Sequence, residues 1–155
     1  MVPVKSLSSV VVNSHKLLAP RYIEVAVGVI CQGESILISQ RQSHQAQAGL
    51  WEFPGGKLEI GETPEQALAR ELQEELAIDV QDCLPLIDVW HDYIDYEVLL
   101  RVYMVKDFLG VACSREGQSI SWVPRAQLNQ YQFPEANQAI IAAINVESHC
   151  DIAAV

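Results

Sequence analysis

The sequence predicts an α/β fold in which a mixed β-sheet is covered on both faces by helices. Strand-like runs interleave with two helix-like segments along 155 residues. The first such run, Glu24–Ile30, is apolar and β-branched after its first residue, as a strand buried on both faces must be. Leu68, Leu72 and Leu76 recur at every fourth position, the stripe of a helix docked on a sheet. Half of the residues are apolar, enough for one domain with one sizeable core.

The elements follow in order. Residues 1–20 mix Ser, Val, Asn and Lys without a sustained period and end at Pro20, which reads as a flexible arm with scope for one added edge strand at Val10–Val12. The domain proper is assigned to 21–155. Glu24–Ile30 and Ser35–Ser39, divided by the polar Gln32-Gly33-Glu34, suggest a hairpin of buried strands. Residues 42–50 lose all periodicity and read as a functional loop. A short strand at Trp51–Pro54 then runs into a Gly55-Gly56 turn. Thr63-Pro64-Glu65-Gln66 carries a Thr N-cap, Pro at the first helical position and Gln three residues after the cap, so a helix is expected over Pro64–Leu76. Leu84–Trp90, Tyr96–Val105 and Ser119–Val123 are rich in strand formers. Asn137–Val146 sets Ile140, Ile141 and Ile144 on one face of a last helix.

Charge narrows the partners. Twenty Asp and Glu against ten Lys and Arg give a net charge of −10, and that field repels nucleic acid polymers. A protein this acidic that handles phosphates needs a divalent cation to neutralise both sides. Cys31, Cys83, Cys113 and Cys150 lack ligand-like spacing, and no stretch reads as a secretory signal or reaches the ~18 apolar residues of a membrane span. A reduced, cytoplasmic setting without membrane contact is expected, with the thiols as small hydrophobes. His44, His91 and His149 stand alone and are expected in loops or at the surface. Trp90, Tyr93, Tyr96 and Tyr103 are read as packing, with one available for a pocket rim.

The chemistry concentrates in Arg70-Glu71-Leu72-Gln73-Glu74-Glu75. At ~100° per residue, Glu71, Glu74 and Glu75 fall on one side of the helix beside the leucine stripe. They repel one another, with Arg70 the obvious local partner, and a cation such as Mg²⁺ turns that repulsion into ligation. An isolated acidic run is ordinarily a solvated face. Here it follows the glycine pair, a Gly61-Glu62 turn and a capping box, an arrangement that gathers backbone groups and carboxylates around one metal–phosphate unit.

The stretch GKLEIGETPEQALARELQEELAI, from Gly56 to Ile78, resembles the box of the Nudix family. Gly56, Glu62, Arg70, Glu71, Leu72, Glu74, Glu75 and Ile78 match it, and Ala77 departs where the pattern has Gly, which puts the helix exit in question. Similarity to MutT-type members extends over Ile23–Ile144 through Gln40-Arg41, the WEFPGG segment at 51–56, the FPEAN segment at 133–137 and Arg115-Glu116-Gly117-Gln118. The resemblance implies a Nudix-type α/β/α sandwich and a Mg²⁺-dependent pyrophosphohydrolase, with Mn²⁺ able to substitute, acting on 8-oxo-dGTP. It implies metal ligation by Glu71, Glu74, Glu75, Glu116 and the Gly55 carbonyl, with Glu71 or Glu116 as the proton acceptor. Gly56, Glu62 and Arg70 support the box. Arg41, Phe53, Asn137 and Ile23 meet the base, although Asn137 could cap the last helix and Arg41 could be a surface ion-pair partner. Three alternatives stand beside it: a pyrimidine nucleotide hydrolase, whose relatives share the GLWEF lead-in; a dinucleotide hydrolase, which the tyrosines keep open; and a silent nucleotide sensor, against which the intact carboxylates argue. A monomer or weak homodimer is expected.

Overall fold

Strand β1 (Tyr22–Gln32) is the axis of the fold, and its partners explain why its sequence is apolar without interruption. The computed structural model describes residues 22–152, with side chains through Glu147; the arm assigned to residues 1–20 and the side chains of His149 and Cys150 lie outside the described residues. β6 (Glu97–Leu109) pairs parallel with β1, and β5 (Asp79–Asp92) pairs antiparallel with β6 at the edge. On its other side β1 pairs antiparallel with β4 (Gly55–Lys57). β2 (Ser35–Gln40) leads on to β3 (Trp51–Glu52) and β7 (Ile120–Pro124), which pair with it antiparallel. Helices α1 (Pro64–Leu76) and α2 (Ala136–Ile152) cover the two faces, the α/β/α sandwich expected.

Side chains alternate across β1. Ala26 and Ile30 face α1 with Leu37, Tyr103 and Val105, against Leu68, Leu72 and Leu76. Val27 and Val29 face α2 with Ile36, Ile38, Phe53 and Met104, against Ile140, Ile141 and Ile144. Full burial of each large aliphatic side chain contributes about 1.5–3 kcal/mol, so both faces stabilise the sheet.

The expected β1–β2 hairpin is present, and one local expectation, the glycine turn, is corrected. The β1–β2 hairpin is splayed: the strands meet at Cys31↔Ile36 and Gln32↔Ser35 only, because β4 takes the rest of that β1 edge and Gly28 N–H donates to the Pro54 carbonyl at 2.8 Å. Gly55-Gly56 is strand, not turn, and neither residue has positive φ. These glycines permit close approach instead. A Cβ on Gly55 would overlap the Ala26 carbonyl oxygen, and one on Gly56 would fall within the Glu71 carboxylate.

Helix α1 has the predicted bounds and cap. Thr63 Oγ1 accepts the Gln66 N–H and the Gln66 side chain accepts the Thr63 N–H. It also keeps a left-handed exit despite the missing glycine: Ala77 sits at φ 57°, ψ 31°, and its N–H reaches the Gln73 carbonyl at 3.1 Å. Replacing Ala77 with Gly relieves that strain, and the expected result is a gain of about 1 kcal/mol in the denaturant midpoint analysis, with turnover unchanged.

β5 and β6 run longer than expected, from Asp79 and to Leu109. The register of β5 shifts between Val80 and Asp82, Asp82 and Leu84, and Pro85 and Ile87, and each shift breaks the alternation by which a strand is read. A 3-10 helix, Arg125–Gln130, was not anticipated and carries Leu128 into the core. Among the described residues no helix is long and apolar enough to cross a membrane.

Candidate active site

Arg70 organises the loop before α1. Its Nε donates to Glu62 Oε1 at 2.6 Å and its Nη2 to Glu62 Oε2 at 3.0 Å, a two-pronged pair, while Nη2 also reaches the Lys57 carbonyl at 3.1 Å. The guanidinium holds the Glu62 carboxyl down at about 2, with help from the Glu59 N–H. Gly61, at φ +83°, makes the turn that brings Glu62 round. The expected bracing of loop against helix is therefore present. Arg70 Nη1 extends it to Glu71 Oε1 at 2.8 Å.

The carboxylates divide into two groups. Glu71 is 17% exposed and lies under Gly56, whereas Glu74 is 55% exposed and turns toward Arg70, 3.5 Å away. Glu75 points inward and its carboxyl is pushed up to about 9, first by burial, then by the charges of Glu71 and Glu116, by a hydrogen bond with Glu71, and by Glu52. Every charge in that account is negative. The structure thus gathers Glu71, Glu75 and Glu116, sets Glu74 aside, and adds Glu52, which the sequence reading did not single out. Glu52 lies in the WEFPGG segment, but it comes beside the acids through the register Ser39↔Glu52.

Beside the acids opens a cleft of about 360 Å³. Gly55 and Glu52 edge it, and all four residues expected at the base, Ile23, Arg41, Phe53 and Asn137, line it. Phe53 stacks on Phe133, with ring centroids 5.2 Å apart. Asn137 follows the first residue of α2 and its N–H bonds the Pro134 carbonyl, so it is not the N-cap; among the described residues its side-chain amide has no partner. Arg41 lines the cleft and is also an ion-pair partner, bonding Glu52 and the Ala46 carbonyl, each at 2.6 Å. His91 is neither loop nor open surface. It lies on β5 and lines the cleft with Tyr93 and Tyr96, which stack at 5.1 Å. Trp90, on the other side of β5, meets Tyr22 edge to face, and Tyr103 is buried with its hydroxyl on Glu65. Among the described residues Cys31, Cys83 and Cys113 are free thiols.

The cleft is fit for a flat ring, and of the carboxylates beside it Glu52 pairs with Arg41 and Glu71 with Arg70, whereas Glu75 faces other carboxylates. The family described as NUDIX domain matches residues 25–143. The 8-oxo-dGTP diphosphatase of Proteus vulgaris is 42% identical over 65% of this chain and 91% of its own. The CTP pyrophosphohydrolase of Escherichia coli is 34% identical over 79% of this chain and 91% of its own. A solved structure from work on MutT of Aliivibrio salmonicida and Vibrio cholerae superposes with a TM-score of 0.72 at 35% identity, covering 81% of this chain and 98% of that one.

Proposed function

The chain belongs to the Nudix family and is a hydrolase of it, and from that premise we propose that it converts 8-oxo-dGTP to the monophosphate and pyrophosphate, keeping the oxidised nucleotide out of DNA. The observation that carries this reading is the unpartnered Asn137 amide in the cleft beside the acids. An amide offers one donor side and one acceptor side, and can pair with two edge atoms of an oxidised purine at once. Phe53 and Ile23 supply apolar contact to the ring, and the Arg41–Glu52 pair fixes one wall.

The acidic cradle fits a divalent cation, which we take to be Mg²⁺. Among the described residues no three acidic, His or Cys side chains already close on one point. Such an open set suits an ion that completes its octahedron with waters and phosphate oxygens. Glu71, Glu75 and Glu116 with the Gly55 carbonyl would hold it, and Glu74 would join by turning from Arg70. When bound, the ion neutralises phosphate charge and acidifies water. The chain's residues do the rest. The cleft orients the nucleoside; water oxygen bonds to phosphorus as the anhydride P–O bond breaks, and either pyrophosphate or the nucleotide leaves. The water proton passes to Glu116, since one Glu71 oxygen is already committed to Arg70.

Pyrophosphate release with Mg²⁺ from 8-oxo-dGTP, dGTP, CTP and ADP-ribose tests the reading. Highest kcat/KM on 8-oxo-dGTP is expected. A preference for CTP would move the chain to the second reading, which the Escherichia coli relative supports. Asn137→Ala is expected to lower the 8-oxo-dGTP over dGTP ratio of kcat/KM by about 10–100-fold, because only the oxidised base loses both bonds. An unchanged ratio would remove Asn137 from recognition.

A further inference from the structure

Glu116 stands in an exposed loop, yet its backbone is tied on both sides. Its N–H donates to Gln118 Oε1 at 3.1 Å, an oxygen that also accepts the Ser114 hydroxyl at 2.8 Å. The same Gln118 amide donates from Nε2 to the Glu75 carbonyl at 3.3 Å. On the other side the Glu116 carbonyl accepts Gln42 Nε2 at 2.9 Å, from a residue 74 positions away. Gly117, at φ +82°, makes the bend, and a Cβ there would stand 3.2 Å from Gln42 Nε2. Arg115 adds a bond from its N–H to the Glu75 carbonyl at 3.0 Å and one from its guanidinium to the Gln73 carbonyl at 3.1 Å.

We infer that Gln118 and Gln42 are positioning residues for the hydrolysis: Gln118 holds Glu116 over Glu75, and Gln42 ties that glutamate to the loop whose neighbouring Arg41 lines the base cleft. The inference rests on Glu116 being the proton acceptor. An untethered glutamate on a glycine-containing loop samples many positions, and proton transfer tolerates little misplacement. Glutamine is required at 118 because both ends of its amide are used, the oxygen toward Glu116 and the nitrogen toward Glu75. Glutamate there would keep the acceptor, lose the donor and add a fifth carboxylate to the cradle. At 42 the donor alone is used, so another long donor serves. The tie also runs from the cleft: Arg41 bonds Glu52 on the wall, and Gln42, next in the chain, grips Glu116.

The test uses the full chain with Mg²⁺ and 8-oxo-dGTP. Gln118→Ala, Gln118→Glu and Gln42→Ala are each expected to lower kcat by about 10-fold or more with little change in KM, and Gln42→Lys to recover most of the loss. The double variant Glu116→Gln with Gln118→Ala is expected to run no slower than Glu116→Gln alone, since both changes remove one function. Penalties that multiply, or wild-type kcat in both Gln118→Glu and Gln42→Ala beside a slow Glu116→Gln, would overturn the inference and leave Glu116 in place. A Glu116→Gln enzyme at wild-type rate would remove the proton-acceptor reading, and the inference with it.

Discussion

Glu75→Gln is expected to cut kcat by on the order of 10²–10³-fold and, with chelator present, to make the protein less sensitive to alkali. Both effects come from one environment. The Glu75 carboxyl sits at about 9, raised by burial and by Glu71 and Glu116, against 4.5 for a free side chain. Between those values the folded chain binds a proton that the unfolded chain does not, so stability falls as pH rises. The contribution is complete below 4.5 and gone above 9. Glutamine copies the neutral carboxyl, including its hydrogen bond to Glu71, and cannot ionise. Denaturant midpoints from pH 5 to 9 in EDTA should therefore decline for the wild type and stay flatter for Glu75→Gln, while Mg²⁺ flattens the wild-type slope. Equal slopes in chelator would show that Glu75 is not the strained carboxyl, and unchanged turnover would remove it from the site.

The glycine pair gives the second large effect, and it separates in two. Gly55→Ala drives a methyl into the Ala26 carbonyl, and backbone within a paired strand cannot yield; a stability loss of about 3 kcal/mol or more is expected. Gly56→Ala meets the Glu71 side chain, which can swing aside. Its stability cost is smaller, but Glu71 is pushed from Arg70 Nη1 and from Glu75, and kcat should fall by roughly 10²-fold. Urea melts and single-turnover rates distinguish the two. A Gly56→Ala enzyme with wild-type kcat would mean that the Glu71 carboxylate is not held beneath the strand.

Whatever depends on near neighbours in the chain was legible beforehand. The Thr63–Gln66 box and the leucine stripe of α1 appear where their spacing put them, and the Arg70–Glu62 brace appears as the family resemblance implied. Glu74 shows the limit of face counting. At ~100° per residue it lies ~40° from Arg70 but ~100° from Glu75, and the attraction of Arg70 outweighs the crowded side. What stayed hidden was set by distant strands. The glycine pair looked like a turn because its reason, the approach of β1 and Glu71, is not local. Glu52 acquires meaning only when β2 and β3 align. His91 ends a strand and Tyr93 and Tyr96 sit in the connection after it, and their place on the cleft follows only from how β5 and β6 lie beside β1.

The parallel pairing of β1 with β6 has a consequence for how the molecule comes into being. The first strand described finds its longest partner only in residues from Glu97 onward, so during synthesis the most apolar segment of the chain must wait until most of the polypeptide exists. Closing so wide a loop is entropically slow, and maturation is governed by this late encounter more than by the fast-forming α1. A nascent chain stalled before Glu97 therefore holds Val25–Ile30 with one strand edge unpaired, and cellular quality control would meet that edge open.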